Sequence, residues 1–438
     1  VNRTETSGAA LRSVEDARSR SDPSVHRLRR SCRACGGGDL QRFLELGRQP
    51  LANSFLRDPA EFEGEPRFPL DVYHCGECFL VQLVDVIDPE ILFRSYLYVT
   101  GTSDTIAAHN RRYAETVVSA LSLGPSDLVL EVASNDGSLL AGFRDHGVRT
   151  LGVEPARNLA RAARERGLET LDVFFDEAAA DAILASHGRA AAVIGNNVLA
   201  HVDEPVGFLR GARKLLAPGG RVIVEVPYLG PLLERLEYDT VYHEHLCYFS
   251  IASLARLFEA ADLVIARIDD VRVHGGSIRV YGAEAASAAE AGHAPEVLAR
   301  IERERGQGFL SADRYRRFAR DVVGHREALR GLLQGLARDG RRVVGYGAPA
   351  KGNTLLNYCG IDTDWMPYVV DKNPLKLGLY TPGTHIPVRP VETLLQDQPD
   401  HVLILAWNFA PEIMSQQRQY AARGGRFILP IPTPEVVS

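Results

Sequence analysis

Two imidazoles, a carboxylate and a phenol occupy consecutive positions in Tyr242-His243-Glu244-His245. An unperturbed histidine titrates near neutrality, which suits removing a proton from a carbon beside a carbonyl. His245 is the candidate base. Glu244 could orient an imidazole or bind a hydroxyl, and Tyr242 could donate a bond to an enolate oxygen. Tyr96, in an aromatic-rich stretch over 93–103, is a second such donor. His201, just after an apolar run, is a further candidate, whereas His243 is weighed chiefly as a packing residue. A metalloprotease helix needs two histidines four apart with glutamate beside the first. Position 247 is cysteine, so no metal is expected at this cluster.

These groups need a partner molecule, and residues 128–154 indicate which one. An apolar strand (Leu128–Ala133) enters a polar turn, then a helix, then a second strand ending on Glu154. A βαβ unit of this kind aims the turn's N–H groups at a ligand and sets a carboxylate to take two ribose hydroxyls. A dinucleotide site needs G-x-G-x-x-G, so that bare backbone can approach a pyrophosphate. This turn reads Ala133-Ser134-Asn135-Asp136-Gly137, with one glycine and an acid. Asp136 would repel a diphosphate but accept a bond from an ammonium or hydroxyl. A nucleoside with a cationic amino-acid tail fits, and S-adenosylmethionine is that molecule. The expected contacts are Glu131, Ala133, Asn135, Asp136, Gly137, Glu154 and Pro155, with Asn196 and Asn197 after the strand Ala190–Gly195.

A second strand, glycine turn and helix start follow at Arg342–Asn353, and Pro367–Asp371 is a strand ending on an acid. Here the turn carries Lys351, which suits phosphate. Two related folds thus hold two nucleosides, one cationic and one anionic. The expected contacts for the anionic one are Gly347, Ala350, Lys351, Asn353 and Asp371. Ser277 and Arg279 join them, because His274-Gly275-Gly276-Ser277 permits close backbone approach and Arg279 could reach an anion.

Four of the six cysteines form Cys32-x-x-Cys35 and Cys75-x-x-Cys78. Two such knuckles clip four thiolates onto one tetrahedral zinc and leave no coordination position open, so the metal is expected to be structural. Two disulfides are the alternative, and they suit a reducing compartment poorly. Cys247 and Cys359 sit among apolar neighbours as packing thiols.

At 438 residues the chain is too long for one core. A net charge of −6 argues against nucleic acid as the main ligand. No apolar run approaches the ~18 residues of a membrane span, and the first 30 residues lack the apolar core of a secretory signal. A cytoplasmic protein is expected; a monomer is plausible. The boundaries read as a mobile, weakly basic tail (1–30), a zinc-binding lobe (31–90), a nucleoside-binding domain (91–283), a helical connection (284–340) and a second Rossmann-like domain (341–438). The fold class is therefore multidomain α/β.

The Cys32/Cys35/Cys75/Cys78 lobe, EVASNDGSLL, NNVLAHV, YHEHLCYFS, HGGSIRVYG and GYGAPAKGNTLLNYCGI occur together and in this order. The combination resembles the three-domain sugar C-methyltransferases of antibiotic deoxysugar pathways, of the tetronitrose C-3 type, over roughly residues 31–435. The resemblance implies a structural zinc, a Rossmann-like class I methyltransferase domain binding S-adenosylmethionine, and a related C-terminal domain anchoring a dTDP-4-keto-deoxysugar. The family's active-site residues match Tyr96, His201, Tyr242, Glu244 and His245, with His245 as general base. An O-methyltransferase is the nearest rival. A nucleotide-sugar oxidoreductase would need a dinucleotide glycine pattern, which neither turn supplies. A nucleic-acid methyltransferase fits the acidic balance poorly, and a degenerate non-catalytic scaffold is the remaining rival.

Overall fold

The computed structural model describes residues 25–94, 104–271, 276–285 and 292–437, without the side chains of 104–106. Most of the tail, Tyr96, His274 and Gly275 lie outside the described residues. The end of the tail region is folded: His26–Leu28 pairs antiparallel with Asp85–Ile87, and Arg29 and Arg33 form ion pairs with Asp203.

The middle of the chain builds a seven-stranded sheet in the order Leu263–Val271, Ser277–Glu284, Leu216–Pro227, Ala190–Asn196, Leu128–Val132, Arg149–Val153, Thr170–Leu171. Strands Leu216–Pro227 through Thr170–Leu171 run parallel, and the two on the other side are antiparallel. Every residue of Leu128–Val132 is buried, as expected for a parallel strand covered on both faces. Chain order reverses between Leu128–Val132 and Ala190–Asn196. Ligands of such sheets bind beyond the strands' carboxyl ends at that switch point. The helix before Pro218-Gly219-Gly220 ends at Lys214, and Leu216–Pro227 is one strand with a register shift between Leu216 and Arg221. The glycines bend a strand there; they do not stop a helix.

The C-terminal sheet has six strands, ordered Val388–Pro390, Val369–Asp371, Val343–Tyr346, His401–Ile404, Arg426–Leu429, Glu435–Val437, parallel except for the last pair. Its switch point lies between Val343–Tyr346 and His401–Ile404.

The N-terminal lobe is a sheet of Leu40–Gln49, Phe68–Cys75 and Val81–Leu83, completed by Cys247–Tyr248. The segment carrying the candidate base is therefore stitched into the cysteine-bearing lobe. Leu56 makes backbone bonds to Tyr380 in both directions, tying this lobe to the C-terminal part as well. Behind them runs the helix Ala312–Arg338. Its buried residues Tyr315, Phe318, Val322, His325, Leu329 and Leu333 fall three or four apart, on one face. The Tyr315 ring lies tilted against Phe43 of the lobe (5.0 Å between ring centres). One continuous apolar core joins the lobe, the middle sheet and the C-terminal sheet, so the crevices between them are held by packing.

Candidate functional site

The turn after Leu128–Val132 is strained where a ligand would approach. Ala133, Asn135 and Gly137 all have positive φ (55°, 53° and 75°), and a non-glycine residue there is uncommon. A Cβ on Gly137 would lie 2.4 Å from Leu168 Cδ1, so the position needs glycine. At the tip of the next strand, Glu154 accepts bonds from Asn135 N and Ala156 N, each 2.8 Å. Its carboxylate is thereby aimed across the turn. Glu131 is buried, its Oε2 has no hydrogen-bond partner among the described residues, and burial together with Glu154 and Asp136 raises its pKa well above the usual range. An unpaired buried acceptor of this kind fits a cationic or donor-rich ligand. Asp136 is engaged by Ser138 Oγ (2.5 Å) and Arg166 Nη1 (2.9 Å). Pro155 receives Arg94 on its carbonyl (3.3 Å). Across the switch point, Asn196 Oδ1 accepts from Tyr113 (3.1 Å), and Asn197 has φ 52°.

The C-terminal turn repeats this construction. Gly347 N donates to Val370 O as Ala133 N donates to Val153 O, both at 2.7 Å. Asp371 accepts from Ala348 N and Asn373 N (2.7 Å each), the counterpart of Glu154 with Asn135 and Ala156. Gly347 has φ 84°, and a Cβ there would meet Ala406 Cβ at 3.0 Å. Ala350 begins the helix Ala350–Cys359. From it, Lys351 Nζ reaches Asn408 Oδ1 (3.1 Å) and lies over the Trp407 ring (4.5 Å). Asn353 gives its amide to Ala52 O (2.7 Å), and its buried Oδ1 has no partner among the described residues.

His245 lies between these folds, on the segment leading into Cys247–Tyr248. Its Nδ1 is 3.0 Å from Thr240 O. A carbonyl only accepts, so in the neutral ring Nδ1 carries the proton and Nε2 is the basic atom. Tyr242 Oη donates to that Nε2 at 2.8 Å, with the two rings 4.0 Å apart. His201 stands perpendicular to His245, 4.8 Å between ring centres. Burial holds His201 down at a pKa of about 4, and its buried Nδ1 has no partner among the described residues. His201 is therefore a neutral group at pH 7. The structure thus brings His201, Tyr242 and His245 together. Glu244 is buried and accepts from Asn53 Nδ2 (2.6 Å) of the N-terminal lobe. His243 is buried against the lobe, bonded to Pro69 O (3.1 Å) and held near pKa 4 by burial. It packs.

Arg279 lies in the middle sheet, with its charge already balanced. It bonds Glu225 Oε2 through Nη2 (2.7 Å) and Nε (3.1 Å) and stacks on Tyr113 (3.3 Å to the ring centre). Ser277 is buried opposite Pro227 on the same strand pair. Removing one member of a buried pair strands the other charge, which costs ~3–5 kcal/mol. Arg279→Met is thus expected to lower the thermal midpoint, and the added Glu225→Gln to restore part of it. Equal midpoints for Arg279→Met and the unmodified chain would remove the pairing argument.

Three groups at the site gave no signal in the motif reading: Asn53, Lys376 and the pair Glu237/Asp239. Asp239 accepts Trp407 Nε1 (2.6 Å), and burial pushes its pKa to about 6 and that of Glu237 to about 7.

In the N-terminal lobe the sulfurs of Cys32, Cys35, Cys75 and Cys78 lie within 4.8 Å of one another, with Cys32–Cys78 at 3.5 Å and Cys35–Cys75 at 3.6 Å. Tetrahedral zinc at ~2.3 Å per bond sets sulfurs about 3.8 Å apart, and a disulfide would need about 2.05 Å. All four are free thiols. Backbone N–H groups of Ala34 and Glu77 point at Cys32 and Cys75 (3.4 Å each), the arrangement of a zinc knuckle.

Three family models match the chain one after another. Residues 32–93 match a putative zinc-binding domain model, 106–268 a methyltransferase domain and 272–432 a C-methyltransferase C-terminal domain. The chain is 41% identical over 407 residues to C-methyltransferase NovU of Streptomyces niveus, covering 93% of this chain and 96% of that one. Among solved structures, magnesium protoporphyrin IX methyltransferase of Synechocystis PCC 6803 overlaps 41% of this chain and 82% of its own (16% identity, TM-score 0.31). The CcbJ methyltransferase of Streptomyces caelestis overlaps 40% and 89% (18% identity, TM-score 0.32). Overlaps this partial carry no weight here. With a four-cysteine zinc lobe, a methyltransferase sheet and a dedicated C-terminal domain in one order, the chain belongs to the S-adenosylmethionine-dependent C-methyltransferases.

Proposed function

We propose that the enzyme methylates the carbon beside the ketone, C-3, of a dTDP-4-keto-deoxysugar, through an enolate, in antibiotic deoxysugar biosynthesis in the cytoplasm. The observation that carries this reading is the His245 imidazole, its basic Nε2 held by Tyr242 between two nucleoside-type turns. No described helix is long and apolar enough to cross a membrane.

S-Adenosylmethionine, when bound, supplies an electrophilic methyl group. Glu154 would take its ribose hydroxyls, Glu131 and Asp136 would serve its amino-acid end, and Asn196 and Asn197 would complete the pocket. The nucleotide of the substrate lies over Gly347, Ala350 and Asn353, its ribose at Asp371, with Lys351 at the switch point and Ser277 on the facing sheet. His245 Nε2 removes the proton from the carbon next to the ketone. The Tyr242 hydroxyl turns from Nε2 to the enolate oxygen, joined by Tyr96. His201, neutral at pH 7, adds a donor without competing for the proton. Glu244, fixed by Asn53, binds a sugar hydroxyl. Positioning supplies much of the rate, since the methyl donor is already reactive.

Two readouts test this. S-Adenosylhomocysteine and dTDP should each raise the thermal midpoint, and NAD should not. The product should carry its new methyl on carbon; a methoxyl would favour the O-methyl reading. Hydrogen bonds to a charged group are worth ~1.5–3 kcal/mol each. Glu154→Ala is therefore expected to weaken S-adenosylhomocysteine at least tenfold in calorimetry, and unchanged binding would remove Glu154 from the cofactor site.

A further inference from the structure

Lys376 lies where the three parts of the molecule meet. Its Nζ donates to Ala348 O (2.7 Å) in the C-terminal turn and sits over the Phe55 ring of the N-terminal lobe (5.0 Å). Two carboxylates face it: Asp371 at the strand tip and Glu244 beside His245. Both are already occupied, Asp371 by Ala348 N and Asn373 N, Glu244 by Asn53. An ammonium has three N–H donors. One is spent on Ala348 O, and among the described residues no acceptor is within hydrogen-bond distance of the other two. Burial lowers the pKa of Lys376, while Asp371 and Glu244 oppose that shift and favour its charge. Lys376 is half-buried, so its two remaining donors can be taken by an anion entering beside the turn.

Lys351, the cation that the motif suggested, is differently placed. Its Nζ is bonded to Asn408 and lies against Trp407, with Asp239 and Glu237 opposing its desolvation. Each ammonium thus has one acceptor, one aromatic face and two carboxylates around it. What separates them is place: Lys376 is bonded to the turn that would hold a nucleoside, at Ala348 O, and stands between that turn and Glu244, the residue beside the candidate base.

We infer that Lys376 is the residue that neutralises the diphosphate of a nucleoside-diphosphate substrate, and that Lys351 serves mainly to balance Asp239 and Glu237. This inference rests on the nucleotide-sugar reading and assigns its phosphate-binding cation. The ammonium gives its two remaining N–H bonds to diphosphate oxygens while keeping the third on Ala348 O. Phosphate and sugar are thereby fixed to the same point, so the ring reaches Glu244 and His245 in register.

Calorimetry on the full-length protein tests it, with dTDP, thymidine and S-adenosylhomocysteine as probes. Lys376→Gln keeps a donor for Ala348 O but removes the charge; it is expected to weaken dTDP at least tenfold. Thymidine and S-adenosylhomocysteine should then change by less than twofold, and Lys376→Arg should recover most of the dTDP affinity. Equal losses for dTDP and thymidine would mean pocket damage, and that overturns the assignment. So does undiminished dTDP binding in Lys376→Gln with a tenfold loss in Lys351→Gln, which would return the role to Lys351. Failure of the unmodified protein to bind dTDP at all is a distinct result: it refutes the nucleotide-sugar reading, and the inference falls with it.

Discussion

Replacing His245 by alanine is expected to lower turnover by ~10²–10⁴-fold, the usual contribution of a positioned general base, while S-adenosylhomocysteine still binds normally. The size follows from where the imidazole sits. Nδ1 is tied to Thr240 O, so the ring cannot turn its basic nitrogen away, and Nε2 accepts from Tyr242. Tyr242→Phe should cost less, since it removes a donor and leaves the base in place. Single-turnover methylation with both variants provides the comparison. A His245→Ala enzyme within threefold of normal would dismiss the base, and with it the enolate.

Loss of the zinc lobe should be the second large effect. Structural zinc in small peptides contributes ~10–16 kcal/mol of apparent folding free energy. If only about 4 kcal/mol is felt here, 2–4 °C per kcal/mol puts the fall in thermal midpoint at about 10 °C. Cys75→Ser is the variant of choice, because Cys75 ends the strand Phe68–Cys75 at the centre of the lobe's sheet. The consequence should reach catalysis, although none of the four lobe cysteines takes part in the proposed reaction. Cys247–Tyr248 is the outer strand of that sheet, and Leu246 O accepts from Leu83 N (3.0 Å). Melting the lobe therefore releases the segment carrying Tyr242 and His245. Metal analysis should find zinc in the unmodified protein and little in the variant. A Cys75→Ser protein with a normal midpoint and normal turnover would make the metal dispensable.

Much of this was legible from local patterns. The four cysteines announced a metal because their spacing is itself the ligand geometry. The turn Ala133–Gly137 announced a nucleoside because strand, turn and acid follow one another along the chain. Non-local facts left no such trace. Arg279 read as a free cation, yet Glu225, on the neighbouring strand, takes its charge. Lys351 read as a phosphate ligand because it follows a glycine turn, and only the fold sets Trp407, Asn408 and Asp239 beside it. Asn53 meets Glu244 across 191 positions of sequence, a contact that depends on the lobe folding back over the C-terminal turn. Tyr96 itself lies outside the described residues, and its role comes from the resemblance.

The neutral state of the buried histidines also has a pH signature. His201 and His243 are held near pKa 4 when folded, against an ordinary 6.5. A depressed histidine pKa adds stability that is present above about pH 6.5 and is lost as pH falls toward 4, because the unfolded chain binds those protons first. Thermal midpoints should decline through that window.

The central claim is most directly tested by following hydrogen on carbon. With a dTDP-4-keto sugar deuterated beside its ketone, and S-adenosylhomocysteine in place of the methyl donor, deuterium should wash into solvent. His245→Ala should abolish that exchange. A methylated product that keeps all of its carbon-bound deuterium, formed by an enzyme that shows no exchange, would contradict the account.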